Sequence, residues 1–540
     1  MQGSFPRPSM SMDMTDVEME ASSSRSSRSS SSINSSDVTL DYYEERTPSI
    51  SRWRLLVLTL PNFGIQVLWL IMMSYGTPYM TTLGIPNSIT TLVWLSGPVS
   101  GALVQPLFAA LSDGTRHPWG KRKPYIAGGA SFVSLSLLGL ACAEDMSSWL
   151  TSTSSSHKHI YAMGPPKASA LTKILVAFWV CALNIAIQPL QNGVRALIID
   201  SCPPHQQSTA AAWSARFNGL GAVAISASAF ADVEAWAPVL GETKFKALCV
   251  LAVLALGAAI APACALVPDE PSREVDARHR AVSLFARLWR TAGNLPPVTR
   301  QVCKVQSCAF TAWFSVLYYS TTYVYQTFVI DQHVHLDPDI FGAADPRLID
   351  MGKHAGTRAS LVFACVTFAS SLILPLIARH SVLQQISGHH VLVVTVCGLS
   401  LGRIWYLAHC LFAALMFLTC FVYTVPAATI IVGALGVAWS VASWAPYALI
   451  STEIASLKAR REGGDGSTEK DMGNWTDETT AGIMAIHNMA VSLPQIGAAL
   501  GCTVLFKLVE ISKRDDPAAF AFKFAGIMAV VAAWMGRSLW

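Results

Sequence analysis

Apolar residues in this chain gather into twelve runs, near 54–80, 88–112, 123–143, 169–200, 206–231, 245–267, 302–330, 356–378, 403–424, 426–452, 480–507 and 520–539. Each is long enough to cross the roughly 30 Å hydrocarbon core of a bilayer. In hydrocarbon a backbone N–H or C=O has no water to bond, so a spanning run of this length closes its own hydrogen bonds as an α-helix. The 540 residues are 52% hydrophobic and 13% charged, and the mean hydropathy of +0.41 excludes a soluble protein. The expected fold is an all-α membrane protein of twelve transmembrane helices. The apolar stretch 389–401 is too short to span and reads as a loop or an interfacial segment.

Twelve spans bring both termini to one side, and Lys and Arg say which. Arg116, Lys121, Arg122 and Lys123 follow the second run. Arg273, Arg278, Arg280, Arg287 and Arg290 follow the sixth, and Lys458, Arg460, Arg461 and Lys470 the tenth. The opposite connections at 81–87 and near Thr424 carry none. The N- and C-termini are therefore expected in the cytoplasm. The sequons at Asn34 and Asn474 then fall on the cytoplasmic side and should be unglycosylated. The basic stretch 268–300 divides the chain. Residues 1–51 form a disordered Ser-rich tail, 52–267 one six-helix half, 268–300 a basic cytoplasmic linker and 301–540 the second half.

Within the fourth run, Asn184, Gln188, Gln191 and Arg195 stand at i, i+4, i+7 and i+11. At about 100° per residue they fall within roughly 60° of one another, a single polar stripe on an apolar helix. An Arg at mid-membrane costs about 2.5–3.5 kcal/mol on insertion scales, so it must face a wet cavity or a partner. Three amides and an Arg in one row exceed what helix-to-helix contact needs, and the stripe is read as lining a polar path. Planar amides suit vicinal hydroxyls, and aromatic rings suit the C–H face of a sugar. The candidate binding set is Asn184, Gln188, Gln191, Arg195, Gln66, Trp69, Trp444 and Asn488. Tyr75, Trp313, Tyr319, Tyr323 and Trp439 are further aromatic candidates, and Gln495 shares a helix face with Asn488.

A second group reads as a gate. In Ser112-Asp-Gly-Thr-Arg-His-Pro-Trp-Gly-Lys-Arg-Lys-Pro124 an acid ends one helix and a basic cluster begins the next. Such a network holds in one access state and breaks in the other. The candidates are Asp113, Arg116, Lys121 and Arg122, with Asp200 and Glu453 at the inner ends of the fourth helix of each half. Glu453 is expected to pair with Lys458 or Arg460. His487 reads as a hydrogen-bonded helix contact.

The 12 Cys lie mostly inside apolar runs with no metal-ligand spacing, so no disulfide framework, metal or cofactor is expected. The stripe holds no nucleophile–base pair, which argues against an enzyme. The net charge of +4 is spread over loops and speaks for membrane topology, with no nucleic-acid partner.

The loop SDGTRHPWGKRKP resembles the signature loop of the major facilitator superfamily, in the form of the sucrose and α-glucoside symporters. Gly64-Ile-Gln66 with Trp69, Tyr75-Gly-Thr-Pro-Tyr79, Trp94-Leu-Ser-Gly-Pro-Val-Ser-Gly101 and Val104-Gln-Pro106 resemble its first two helices. Arg195-Ala-Leu-Ile-Ile-Asp200, Pro204-His-Gln-Gln207, Trp213 and Arg216 are similar to the fungal branch. Trp444-Ala-Pro-Tyr-Ala-Leu-Ile450 with Glu453, and His487-Asn488 with Pro494-Gln495, resemble the family's second half. The resemblance implies the major facilitator fold, a monomer in the lipid bilayer, a small-molecule sugar as substrate and a proton as the coupled ion. It places the protein in the plasma membrane, with an internal membrane such as the vacuole left open. Three positions depart from the family. Asn184 stands where an Asp is usual, Met72 where fungal members often have Glu, and Gly114 where the loop Asp is followed by Arg. Neither Asn nor Met titrates, so a uniporter or a non-transporting sugar sensor stays open beside the symporter.

Overall fold

The structure, a computed structural model, describes residues 49–85, 87–151, 169–228, 243–271, 289, 291–335, 346–386, 389–396, 399–462, 480–511 and 517–539. The Ser-rich tail up to residue 48, both sequons, Arg273, Arg278, Arg280, Arg287, Arg290 and Lys470 lie outside the described residues.

Each of the twelve apolar runs holds a helix. Ten of the described helices are long and apolar enough to cross a membrane. The two that fall short are Gln207–Ser228 and Pro297–His335, although at 1.5 Å per residue they reach about 33 and 58 Å. Their apolar content is diluted by polar residues that line a cavity, among them Ser214, Asn218, Ser320 and Thr321. Large apolar side chains stand exposed along the helices, including Leu92, Phe132, Ile174, Leu254, Ile430 and Leu500, as lipid contact requires.

Two apolar clusters organise the bundle. One is built entirely from residues between Leu55 and Val267. The other runs from Leu295 to Leu539 and takes in Ile199, Ala211, Ala212 and Ala215 from the earlier helices. The small Ala side chains let the two sets approach. A separate patch of Ala109, Ala196, Ala481 and Ala485 joins them again.

Three details depart from the sequence reading. The first run is divided into Arg52–Thr59, Pro61–Ile71, a π-helical turn Met72–Gly76 and Thr77–Thr82. Pro61 has no N–H to give the preceding turn, and it begins a new segment. A short helix, Ala143–Leu150, follows Lys123–Ala141. The fold is also not wholly helical, since the stretch expected to be a loop or interfacial segment holds strands. Strands β1 (Ala378–Ile386), β2 (His389–Val396) and β3 (Leu399–Ser400) form an antiparallel sheet, with Val382 opposite Val393 and Ile386 opposite His389. β-branched Val and Thr dominate β2, and their stiff side chains favour the extended backbone.

Candidate functional site

The Ala170–Ser201 helix runs through Pro189 without a break, its first turn capped by Ser169 Oγ accepting from Thr172 N–H at 3.0 Å. Its polar stripe turns inward. Asn184, Gln188, Gln191 and Arg195 all line one cavity of about 340 Å³. Both helix sets contribute to its walls: Gln66 and Trp69 from Pro61–Ile71, Asn218 from Gln207–Ser228, Tyr318 from Pro297–His335, Trp439 from Val425–Glu462, and Asn488 with Gln495 from Thr480–Ile511. The π-helical turn adds Met73 and Ser74, so the irregular backbone of the first run sits at the wall.

The stripe is ordered from within. Asn184 Nδ2 donates to Ser96 Oγ at 2.9 Å, and Gln188 Nε2 donates to the Asn184 carbonyl at 3.0 Å. Gln188 is buried and its Oε1 has no hydrogen-bond partner. At the far end of the stripe, Arg195 Nη1 donates to Asn488 Oδ1 at 3.5 Å, and its guanidinium lies 4.8 Å from the centre of the Tyr447 ring. Asn488 Nδ2 in turn donates to the Gly101 carbonyl and to Ser492 Oγ, both at 3.2 Å. A Cβ on Gly101 would stand 2.5 Å from Ser492 Oγ, so a larger residue there would displace the hydroxyl to which Asn488 donates.

Seven of the eight expected binding residues line the cavity; Trp444 does not. It is buried, and its indole N–H donates to the Ser208 carbonyl at 3.3 Å, tying the late helix to the start of Gln207–Ser228. One turn on, Tyr447 is the aromatic that reaches the cavity. The sequence reading quoted Tyr447 inside a motif but gave it no role; its i+3 spacing from a Trp was the available signal. Of the further aromatic candidates Trp439 lines the cavity, while Tyr75, Trp313, Tyr319 and Tyr323 do not. Tyr318 does, and it was missed for its neighbour. His487 is fully buried behind Tyr447, with ring centres 5.1 Å apart, and its Nε2 lies 3.4 Å from Gln306 Nε2.

The expected charge network forms around Arg122. Its guanidinium pairs with Asp113 at 2.6 Å and Asp200 at 3.0 Å, and donates to Ser112 Oγ at 2.9 Å. Lys121 Nζ reaches Asp200 at 3.3 Å. Burial alone would lower the Arg122 pKa, but the Asp113 and Asp200 carboxylates outweigh it and hold the group above its ordinary value. Asp269 completes the corner by accepting from the backbone N–H groups of Arg122 at 2.6 Å and Lys123 at 2.9 Å, where the Lys123–Ala141 helix begins. Arg116 is exposed and stands outside the cluster. The side chains of Lys458 and Arg460, the partners expected for Glu453, lie outside the described residues. Glu453 is buried and accepts from Val298 N–H, Thr299 N–H and Thr299 Oγ1, capping the Pro297–His335 helix.

The helices wall one cavity, and a charged corner stands at the start of the Lys123–Ala141 helix. The structure of an MFS (major facilitator superfamily) proton:xylose symporter superposes with a TM-score of 0.50 at 12% identity, covering 89% of this chain and 93% of that one. No protein-family model matches the chain. The general alpha-glucoside permease of Schizosaccharomyces pombe is 24% identical over 566 residues, covering 92% of this chain and 95% of the permease. The sucrose transport protein SUT1 of Oryza sativa subsp. japonica is 24% identical over 493 residues, covering 85% and 83%. The chain is thus similar over most of its length to sucrose and α-glucoside transporters.

Proposed function

We propose that the protein is a secondary carrier for a sugar or glycoside of the sucrose and maltose kind, working by alternating access. In this reading all twelve helices span the membrane as two six-helix halves, 52–267 and 301–540, joined by the linker 268–300. The termini lie in the cytoplasm, and the monomer resides in the plasma membrane. The observation that carries the reading is the row Asn184, Gln188, Gln191 and Arg195 on the wall of a cavity lined from both helix sets. Its volume falls within the range of about 300–1,000 Å³ usual for small-molecule sites. The Arg195–Asn488 and Trp444–Ser208 contacts join the sets beside the cavity, and they must part when access alternates.

Among the described lining residues Arg195 has the only formal charge, and no Asp, Glu, Lys or His joins it. A proton-coupled carrier needs a group that titrates where the substrate binds. We therefore assign transport that depends little on pH between about 5 and 7, the range in which a cavity carboxylate commonly acts. The test is uptake of labelled sucrose and maltose by cells expressing the chain, at pH 5 and pH 7, with and without a protonophore. Saturable uptake that the protonophore leaves intact is expected. Collapse of uptake under the protonophore would return the protein to proton symport. Absence of uptake of either sugar, with the chain shown at the cell surface, would remove the sugar-carrier reading.

A further inference from the structure

We infer that the substrate of this cavity carries a carboxylate as well as hydroxyl groups, making it an acidic sugar or glycoside held at Arg195. The inference rests on the carrier reading above and narrows its substrate class. A guanidinium offers five N–H donors and one positive charge. Among the described residues, Arg195 gives one N–H to a neutral amide, Asn488 Oδ1, at 3.5 Å, and its Cζ stands 4.8 Å from the centre of the Tyr447 ring. No ion pair to Arg195 is seen among the described residues, in contrast to Lys121, Arg122 and Lys246. Position 184 bears an amide, itself held to Ser96, and no carboxylate shares the cavity wall.

A positive charge on a membrane-embedded wall without a protein anion is costly, and an anionic ligand in the cavity would offset that cost. With one N–H given to Asn488, the planar edge of the guanidinium keeps further donors. That edge is the part that grips a carboxylate through two parallel hydrogen bonds. One guanidinium balances one charge. A carboxylate therefore fits better than a phosphate monoester, which carries about two at neutral pH.

The second observation lies two helical turns away. Gln188 is 3% exposed, lines the cavity, and gives its amide N–H to the Asn184 carbonyl, which leaves Oε1 without a donor. An unpartnered buried acceptor calls for a hydroxyl. Seven residues of helix place Gln188 about 10 Å from Arg195 along the axis. Hydroxyls at one end and a carboxylate at the other, on a scale of about 10 Å, describe an oxidised disaccharide or a glycoside of a hydroxy acid.

The test uses the purified full chain and two probes of the same shape. Maltobionate is maltose with its reducing end oxidised to a carboxylate, and maltitol is the matching neutral alcohol. Titration calorimetry should give a dissociation constant at least about tenfold lower for maltobionate, the scale of a charge-assisted bidentate pair. Arg195→Gln should bring the ratio towards one, and Arg195→Lys should keep part of it. Ligand-free melting curves establish that both variants are folded. Equal binding of the two probes by the unaltered chain would overturn the inference and leave the sugar-carrier reading standing. So would a preference for maltobionate that survives in Arg195→Gln. Binding of neither probe would overturn both.

Discussion

The Glu453 carboxylate closes on Thr299, accepting from its hydroxyl at 2.6 Å and from its backbone N–H at 2.7 Å. With Val298 N–H at 3.0 Å, one side chain of the Val425–Glu462 helix satisfies the exposed donors that begin another. The role is that of a cap delivered across the bundle, reinforced by the positive end of the helix dipole. Glu453→Ala should lose about 2–3 kcal/mol of stability, because two backbone donors and a hydroxyl are left buried and unpaired. Glu453→Gln keeps an acceptor and should lose about half as much. Unfolding in detergent with a chemical denaturant measures both. An unchanged midpoint in the Ala variant would return Glu453 to the gating role that the sequence suggested.

Arg122 is the centre of a different kind of joint. It is fully buried between Asp113 and Asp200, so removing it takes the guanidinium from Asp113 and leaves Asp200 with Lys121. Arg122→Ala should cost about 3–5 kcal/mol, the scale for breaking a buried ion pair from one side. Asp200→Asn should cost less, because the amide still accepts from the guanidinium. The double variant should be less destabilised than the sum of the two, since the residues share one network. Arg122→Lys should not restore the wild-type stability, because an ammonium cannot reach two carboxylates and Ser112 Oγ in one plane. Additive losses would mean that the three residues act separately.

Asn184 tests the coupling. Its amide donates to Ser96 Oγ, and at 1% exposure it is shielded from bulk water even though it lines the cavity. In Asn184→Asp the protonated acid can donate to Ser96 as the amide does now, whereas the ionised acid cannot and bears a desolvated charge. Sugar uptake by the variant should therefore rise as pH falls from 7 to 5, while uptake by the unaltered chain stays flat. Matching pH profiles for the two would show that position 184 has no part in setting proton dependence.

Much of this was legible in the sequence, for reasons that differ by residue. Length and apolarity marked twelve runs that each hold a helix, ten of them long and apolar enough to cross a membrane, because a bilayer leaves a long apolar run little choice but to coil. The stripe on the fourth run was read correctly as a shared face, since helical periodicity alone sets which residues share a direction. The Arg122 corner followed from opposite charges at neighbouring helix ends. Partners from distant segments were not legible. Nothing local joins Glu453 to Thr299 or Asp269 to the N–H of Arg122, because 154 and 147 residues separate them. Aromatic residues failed for a smaller reason. Neighbours such as Tyr318 and Tyr319 differ by about 100° around the helix, and only the packed bundle says which points inward. The strand β2 was missed because a short, mostly apolar stretch can serve as a strand or as part of a helix, and the β-branched content was not weighed.

Trp444 separates binding from gating most cleanly. The sequence placed it in the substrate site, but its indole N–H holds the Ser208 carbonyl and its ring lies outside the cavity lining. Trp444→Phe keeps most of the buried ring and removes that one hydrogen bond, so folding should lose only about 1 kcal/mol. The lost bond joins two elements that must part during the cycle. The variant should therefore change the maximal uptake rate while leaving the half-saturating sugar concentration within about twofold, since no ground-state contact to substrate is removed. A Trp stacked on the sugar would behave in the opposite way, because loss of ring–sugar contact raises the half-saturating concentration first. Initial-rate uptake over a range of maltose concentrations, compared with Trp439→Phe at the cavity wall, reads the difference directly. The Trp439 variant should show the rise in half-saturation and the Trp444 variant should not. If both show it, Trp444 reaches the sugar in another state of the cycle, and the gating assignment falls.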